Sequence, residues 1–198
     1  AAQRALYMQA ASSIDLVHGL EDAVARKQAE RVLDYLIPIV KAWNTDNGVL
    51  LTNLAMQVYG GMGYVEETGV SQYVRDVRIT PIYEGTNGVQ ALDLIGRKTA
   101  ANGGAVPLAL LAEGKEIAQT LAAAAPDLAA SLLQAIAAAE QSVADIVAQM
   151  GEQPALAAAA SNAYLQQMAC TLGAIALGSA ALLVWSAPPS ARPPATPV

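Results

Sequence analysis

Glu84 stands in Tyr83-Glu84-Gly85-Thr86, between the apolar run Pro81-Ile82-Tyr83 and a helix start predicted at Thr86. A carboxylate in that setting feels two opposing effects. The helix end favours its charged form, and burial under an apolar ligand favours its neutral form. A group so poised serves as a general base. Gly85 removes a side chain beside it and lets a ligand approach the backbone. The commoner use of an acid at a helix entry is a capping or dipole contact, and the residues by themselves leave both readings open.

Other residues that bear chemistry point elsewhere. Gly60-Gly61-Met62-Gly63 is followed by Tyr64-Val65, not by the Lys and Ser or Thr of a phosphate-binding loop. A helix is predicted before it, where a dinucleotide fingerprint needs a strand. On its own the cluster reads as a helix stop that permits positive φ. His18 is the single histidine and reads as a partly exposed helix residue, with no serine elbow placed beside it. Cys170 is the single cysteine and cannot build a disulfide or a cysteine zinc site. No basic residue near it in sequence stabilises a thiolate, so a buried structural thiol is expected.

These residues need elements to hold them, and the pattern is helical. Leu6, Ala10, Ile14, Val17, Leu20 and Val24 share one face of a helix predicted over residues 3–24. Val32, Leu36, Ile39, Val40 and Trp43 continue the spacing over 28–43. Asn44-Thr45-Asp46-Asn47-Gly48 is a local stop signal. Thr86 caps a predicted helix through Val89, Leu92 and Ile95 towards Lys98. A long apolar stripe from Leu128 to Met150 opens at Pro126-Asp127 and closes at Gly151. No stretch alternates with period two, so no strand is expected.

Composition divides the chain near residue 100. The first half holds nine of the 11 basic residues, 11 of the 17 acidic ones and six of the seven tyrosines. The second half is alanine-rich, and residues 155–186 carry no charge. Asn102-Gly103-Gly104 marks the seam, ahead of Pro107, which suits a first helical position. Residues 188–198, rich in Pro and Ala, read as a disordered tail. Hydrophobic residues make up 54%, enough for a sizeable core. The net charge of −6 argues against nucleic acid. No signal peptide is visible, and a cytoplasmic location is expected.

Three segments occur in order: Gln57-Val58-Tyr59-Gly60-Gly61-Met62-Gly63-Tyr64, Arg75-Asp76-Val77-Arg78, and Ile82-Tyr83-Glu84-Gly85-Thr86-Asn87-Gly88-Val89-Gln90. Together they make residues 1–100 resemble the C-terminal helical domain of acyl-CoA dehydrogenases. The Ala-rich extension and Asp93-Leu94-Ile95-Gly96-Arg97-Lys98 look like the branch that acts on 3-methylmercaptopropionyl-CoA and similar thioesters. The resemblance implies FAD and an acyl-CoA substrate. It makes Glu84 the base that removes the α-proton while the β-hydrogen leaves as hydride to flavin N5. The product is a 2-enoyl-CoA, and an electron-transfer flavoprotein takes the electrons. The thioester carbonyl must be polarised, and the family uses the catalytic glutamate's N–H and a flavin hydroxyl for this. Gly85, with Tyr83, matches the substrate side. Gln57, Gly60 and Gly61 match positions on the flavin of a neighbouring subunit, and Thr86 and Gly88 positions near the flavin of the same one. Arg75 and Asp76 are expected as a structural ion pair.

The expected fold is therefore all-α. An antiparallel helical bundle spans 1–100, and a second Ala-rich helical domain spans 105–187. The resemblance also implies one long helix running to Gln57, in conflict with the stop signal at 44–48. Gly48 within it costs about 1 kcal/mol relative to Ala, an amount that packing of Trp43, Leu50, Leu51 and Leu54 would offset. Residues 168–185 just reach the length of a membrane span, yet a helix buried in the bundle is expected, with close contact at Ala174 and Gly178. Family members carry an N-terminal helical domain and a middle β-domain that this chain lacks. It is thus expected to be a C-terminal fragment, inactive alone and homo-oligomeric. The alternative is a non-catalytic helical interaction module that retains the motifs by descent.

Overall fold

A computed structural model describes residues 1–186. Ala187 and the tail expected at 188–198 lie outside the described residues. The described residues form helices and turns and no strand, in keeping with the all-α expectation. The first helix, α1 (Ala2–Gly19), stops earlier than the periodicity suggests. Leu20 is extended, and Asp22 caps the next helix by accepting from the Val24 and Ala25 N–H groups at 3.0 and 3.3 Å. This capping acid starts a new helix where the apolar pattern runs on. Val24 consequently opens the second helix and is exposed, and on α1 only Leu6 and Ala10 of the expected face are buried.

That second helix, α2 (Ala23–Val58), is 36 residues long and about 54 Å from end to end at 1.5 Å per residue. It passes through Asn44–Gly48 without a turn, as the long-helix expectation required. Thr45 Oγ1 donates to the Lys41 carbonyl at 2.8 Å and Asn47 Nδ2 to that of Trp43 at 2.7 Å. Thr52 and Asn53 do the same about two turns on. Side chains that favour turns thus spend their hydrogen bonds on their own helix. Gly48 is compensated differently from the expectation, because Leu50, Leu51 and Leu54 are each more than half exposed. A Cβ at Gly48 would lie 3.1 Å from Val77 Cγ2, so the glycine lets a returning helix come close.

The chain returns along α2 in the opposite direction. After a short turn of helix, α3 (Gly61–Tyr64), comes α4 (Val70–Val77), whose last residue meets Gly48. Thr86 then caps α5 (Asn87–Asp93), which continues as a π-wound stretch, Leu94–Thr99. Ala91, Leu94, Ile95 and Thr99 are its buried residues, whereas Val89 and Leu92 of the expected stripe are exposed. Lys98 reaches Asp34 at 2.7 Å, and Thr99 ends beside Tyr35 through a shared partner on the last helix.

Gly103 and Gly104, with φ of 58° and 77°, turn the chain into α6 (Ala105–Leu121). Pro107 is its third residue rather than its first; a proline there still lacks only an N–H that the helix does not use. Next come α7 (Pro126–Glu152), with Pro126 at its start as expected, α8 (Pro154–Ala159), and α9 (Ser161–Ser186). By length and composition α9 could cross a membrane. In this structure Tyr164, Leu165, Met168, Leu172 and Ile175 are buried in the same cluster as Leu6, Leu36, Ile39, Leu94, Leu111 and Ile136. The helices on both sides of the Gly103–Gly104 turn therefore share one core.

Glycines set the closest contacts of α9. A Cβ at Gly173 would meet Ala2 Cβ at 3.1 Å, and one at Gly178 would meet Leu121 Cδ1 at 2.9 Å. Ala174, expected to pair with Gly178, is exposed. So is Cys170, contrary to the buried thiol expected; it shares an outward stripe with Gln166, Ala174 and Leu177.

One polar cluster lies inside this core. The Tyr164 hydroxyl sits 3.1 Å from the Tyr35 hydroxyl and 3.1 Å from Thr99 Oγ1, joining α2, the π-wound stretch and α9. Burial lifts the Tyr35 hydroxyl well above the usual tyrosine range, and burial also raises Tyr164. Both groups hold their protons more tightly folded than unfolded. Their contribution to stability is intact below the unfolded value of about 10 and falls as pH climbs above it. Urea unfolding from pH 9 to 11 should show Tyr35→Phe losing stability less steeply than the parent, by up to about 1.4 kcal/mol per pH unit. Parallel curves for the two proteins would refute this role.

Candidate functional site

The loop after α4 makes two turns before Glu84. Thr80 donates its N–H to Val77, and Ile82 and Tyr83 donate theirs to Ile79. Glu84 then takes φ 55°, the one positive value at a non-glycine among the described residues, and Gly85 follows at 79°. A left-handed residue with a side chain costs roughly 1–2 kcal/mol, so something must hold it. Three contacts do. The Glu84 carbonyl accepts from Gln90 Nε2 at 3.3 Å, the Gly85 carbonyl from Lys41 Nζ at 2.7 Å, and the Pro81 carbonyl from the Asn87 N–H at 3.1 Å. Gly85 is needed twice over, because a Cβ there would also lie 3.0 Å from Gln90 Nε2.

Asn87 ties the loop to α2. Its Oδ1 accepts from Lys41 Nζ at 2.8 Å. Its Nδ2 faces the Ala42 carbonyl at 3.1 Å, Thr45 Oγ1 at 2.9 Å and Asp46 Oδ1 at 2.6 Å. Thr86 caps α5 by accepting from the Val89 N–H at 3.3 Å, as its position suggested. Local spacing gave no sign of the Lys41, Thr45 and Asp46 contacts. These residues sit more than 40 positions from Asn87, and Thr45 and Asp46 belong to a segment that reads as a helix stop.

Glu84 is exposed, and its carboxylate has no hydrogen-bond or ion-pair partner among the described residues. The burial expected of a poised base is therefore not supplied by residues 1–186. The Glu84 and Gly85 N–H groups likewise have no acceptor among the described residues. A free carboxylate thus projects from a backbone that also offers two free donors, the set needed to take a proton beside a carbonyl that gains negative charge. Tyr83 is half exposed next to it. Gly88 lies in the first turn of α5 with an ordinary φ, and a Cβ there would meet only Thr86 Oγ1, at 3.9 Å. It can contribute main chain alone.

The structure brings Tyr83, Glu84, Gly85, Thr86 and Gly88 together beside Lys41 of α2. It leaves Gln57, Gly60 and Gly61 at the far end of the same helix, about 24 Å further along. Gly60 has φ 62° and ends α2, as a helix stop would. A Cβ at Gly60 or Gly61 would meet nothing within 4 Å, and Gln57 is exposed with no side-chain partner among the described residues. Bare backbone and a free amide suit the polar diphosphate of a dinucleotide. Gly63, which sequence reading passed over, is the constrained member: its Cβ would fall 2.4 Å from the Met56 carbonyl oxygen.

The ion pair expected between Arg75 and Asp76 does not form. Neighbouring residues on a helix point in different directions. Arg75 donates instead to Gln72 Oε1 and approaches Glu66 at 3.6 Å, while Asp76 accepts from Gln72. An apolar groove of about 340 Å³ between α6, α7 and α9, lined by Leu121, Leu128, Leu132 and Leu177, carries no titratable side chain and no acid–base chemistry.

A family model described as acyl-CoA dehydrogenase, C-terminal domain, matches residues 1–99. The chain is 39% identical over 166 residues to 3-methylmercaptopropionyl-CoA dehydrogenase of Ruegeria pomeroyi, covering 82% of this chain and 28% of that protein. That alignment is long enough to extend into the Ala-rich half. The chain is also 33% identical over 106 residues to the broad-specificity linear acyl-CoA dehydrogenase FadE5 of Mycobacterium tuberculosis, covering 51% of this chain and 17% of the relative. The crystal structure of Caenorhabditis elegans ACDH-11 in complex with C11-CoA aligns with 88% of this chain and 33% of its own, at TM-score 0.49 and 20% identity. The chain thus spans less than a third of the length of these relatives.

The glycine turn yields a paired prediction. Gly63→Ala should weaken the turn against α2 by about 1–3 kcal/mol through overpacking. Gly61→Ala should stay within about 0.5 kcal/mol of the parent. Hydrogen exchange at the Met62–Tyr64 amides measures both, and equal effects would contradict the steric account.

Proposed function

Because the chain belongs to the acyl-CoA dehydrogenase family through its C-terminal domain, we propose that it works as the C-terminal part of a flavin-dependent enzyme that oxidises an acyl-CoA thioester to the 2-enoyl-CoA. The observation that carries this reading is the free Glu84 carboxylate on a left-handed loop clamped to α2. Glu84 takes the α-proton. Its N–H, free of any acceptor among the described residues, polarises the thioester carbonyl as charge develops there. Gly85 keeps the approach open, and Tyr83 flanks the acyl group.

FAD, when bound, supplies the acceptor for the β-hydride. Thr86 and Gly88 would lie near one flavin, while Gln57, Gly60 and Gly61 would hold the diphosphate end of another. The separation along α2 supports this division, since one chain's two sets are too far apart to form a single compact pocket. It follows that the enzyme is a homo-oligomer. The exposed Val58, Tyr59, Met62 and Tyr64 around the glycine turn support a covering partner there. An electron-transfer flavoprotein is the proposed electron acceptor, and a cytoplasmic enzyme without nucleic-acid partner or membrane span the proposed setting. The similarity to 3-methylmercaptopropionyl-CoA dehydrogenase supports a related thioester as substrate.

Two measurements test the reading. The 198-residue chain purified by itself should carry no stoichiometric flavin, and a flavin absorbance band at one per chain would contradict the proposed division of the cofactor site. In the longer enzyme, Glu84→Gln keeps the shape and loses the proton acceptor. Under anaerobic conditions acyl-CoA should still bind, while bleaching of the flavin band slows on the order of 10²–10⁴-fold. Bleaching near the parental rate would place the base elsewhere.

A further inference from the structure

The four lysines of the chain divide into two kinds. Lys27, Lys98 and Lys115 each pair with a carboxylate at 2.7 Å. Lys41 does not, although Asp46 lies one turn along the same helix. It gives its protons to two uncharged oxygens, the Gly85 carbonyl at 2.7 Å and Asn87 Oδ1 at 2.8 Å, across 44 and 46 residues of sequence. Asp46 is taken by the other end of the same amide, Asn87 Nδ2, at 2.6 Å. A cation on one side and a carboxylate on the other leave the Asn87 amide a single orientation, oxygen to Lys41 and nitrogen to Asp46. Hydrogen bonds from an ionised donor are roughly twice as strong as neutral ones. Strong bonds are spent here on the peptide that directly follows the strained residue.

We propose that Lys41 is a positioning residue for Glu84: its ammonium holds the Gly85 carbonyl and the Asn87 amide against α2 and so fixes the left-handed Glu84–Gly85 pair that aims the carboxylate. This inference rests on the reading of Glu84 as the base. Without Lys41 the Gly85 carbonyl loses its partner in the chain, and Glu84 is free to leave a conformation that its side chain disfavours. The helix carrying Lys41 keeps its own backbone bonds, so the effect belongs to the loop and not to the fold.

Lys41→Met tests this, because it keeps the aliphatic stem and removes the donors. In the 198-residue chain, the hydrogen-bonded amides of Asn87, Val89 and Gln90 should exchange at least about 10-fold faster, with those of Leu36, Leu94 and Leu165 unchanged. Lys41→Arg, which still donates, should restore most of the protection. In the longer flavin-loaded enzyme, Lys41→Met should slow flavin bleaching by about 10²-fold with acyl-CoA affinity unchanged. Unaltered loop exchange overturns the proposal whatever Glu84 does. So does faster exchange throughout the core, which would make Lys41 a folding residue. Parental bleaching in Lys41→Met alongside a slow Glu84→Gln overturns it as well. A loosened loop together with parental bleaching in Glu84→Gln instead sinks the reading of Glu84 as base.

Discussion

Thr45, Asn47, Thr52 and Asn53 give their side-chain hydrogen bonds to carbonyls of the preceding turn, and α2 therefore passes unbroken through the segment that most resembles a loop. The rest of the first half is registered on that continuity. Val77 meets α2 at Gly48, Asn87 meets it at Ala42 to Asp46, and Lys98 meets it at Asp34. Each contact falls on a lower number of α2 as the chain advances, which defines an antiparallel return. A turn at 44–48 would aim the two ends of α2 apart, and the glutamate loop would have no surface to dock on. The strain at Glu84 persists only because a straight, rigid helix faces it.

What could be read from sequence was local. Thr86 caps its helix, Pro126 opens one, and Gly60 ends one, because each acts through its own backbone. The break at Leu20–Asp22 was equally local but was outvoted by an apolar pattern that runs past it. Burial was harder to read. Val89 and Leu92 have the spacing of a core stripe, yet the π-wound stretch turns Leu94, Ile95 and Thr99 inward instead. Cys170 was misread for a related reason: a helix without charges has no polar face to mark its outside, so its orientation is set by neighbours from other parts of the chain. Of the site, the motif residues were visible, whereas the Lys41–Asn87–Asp46 arrangement was not. It joins groups that become neighbours only once the chain has doubled back.

The two compositional halves are held by unlike means. Packing across the seam is apolar and close at Gly173, where an added methyl group would press on Ala2, while Gly114 and Gly178 admit Ile175 and Leu121 within the second half. Within it sits the hydroxyl triplet of Tyr35, Thr99 and Tyr164. Apolar surfaces tolerate sliding by a fraction of a helical turn, while a chain of three hydroxyls is satisfied in one register only. The triplet thus pins α9 along α2 at the level where the returning chain ends, and it holds the base of the hairpin whose returning arm carries Glu84.

The contact of Gly173 with Ala2 bears on how the protein is made. The first helix finds its partner on α9 only after some 170 further residues have been added. At ordinary rates of synthesis that interval is roughly 10–30 s, during which Leu6 and the inner face of α2 have left the ribosome without their cover. A nascent chain in that condition is a client for chaperones that bind exposed apolar helices. Pauses in translation between the two halves would lengthen the exposure, so the codons of the Ala-rich half bear on the yield of the half that precedes it.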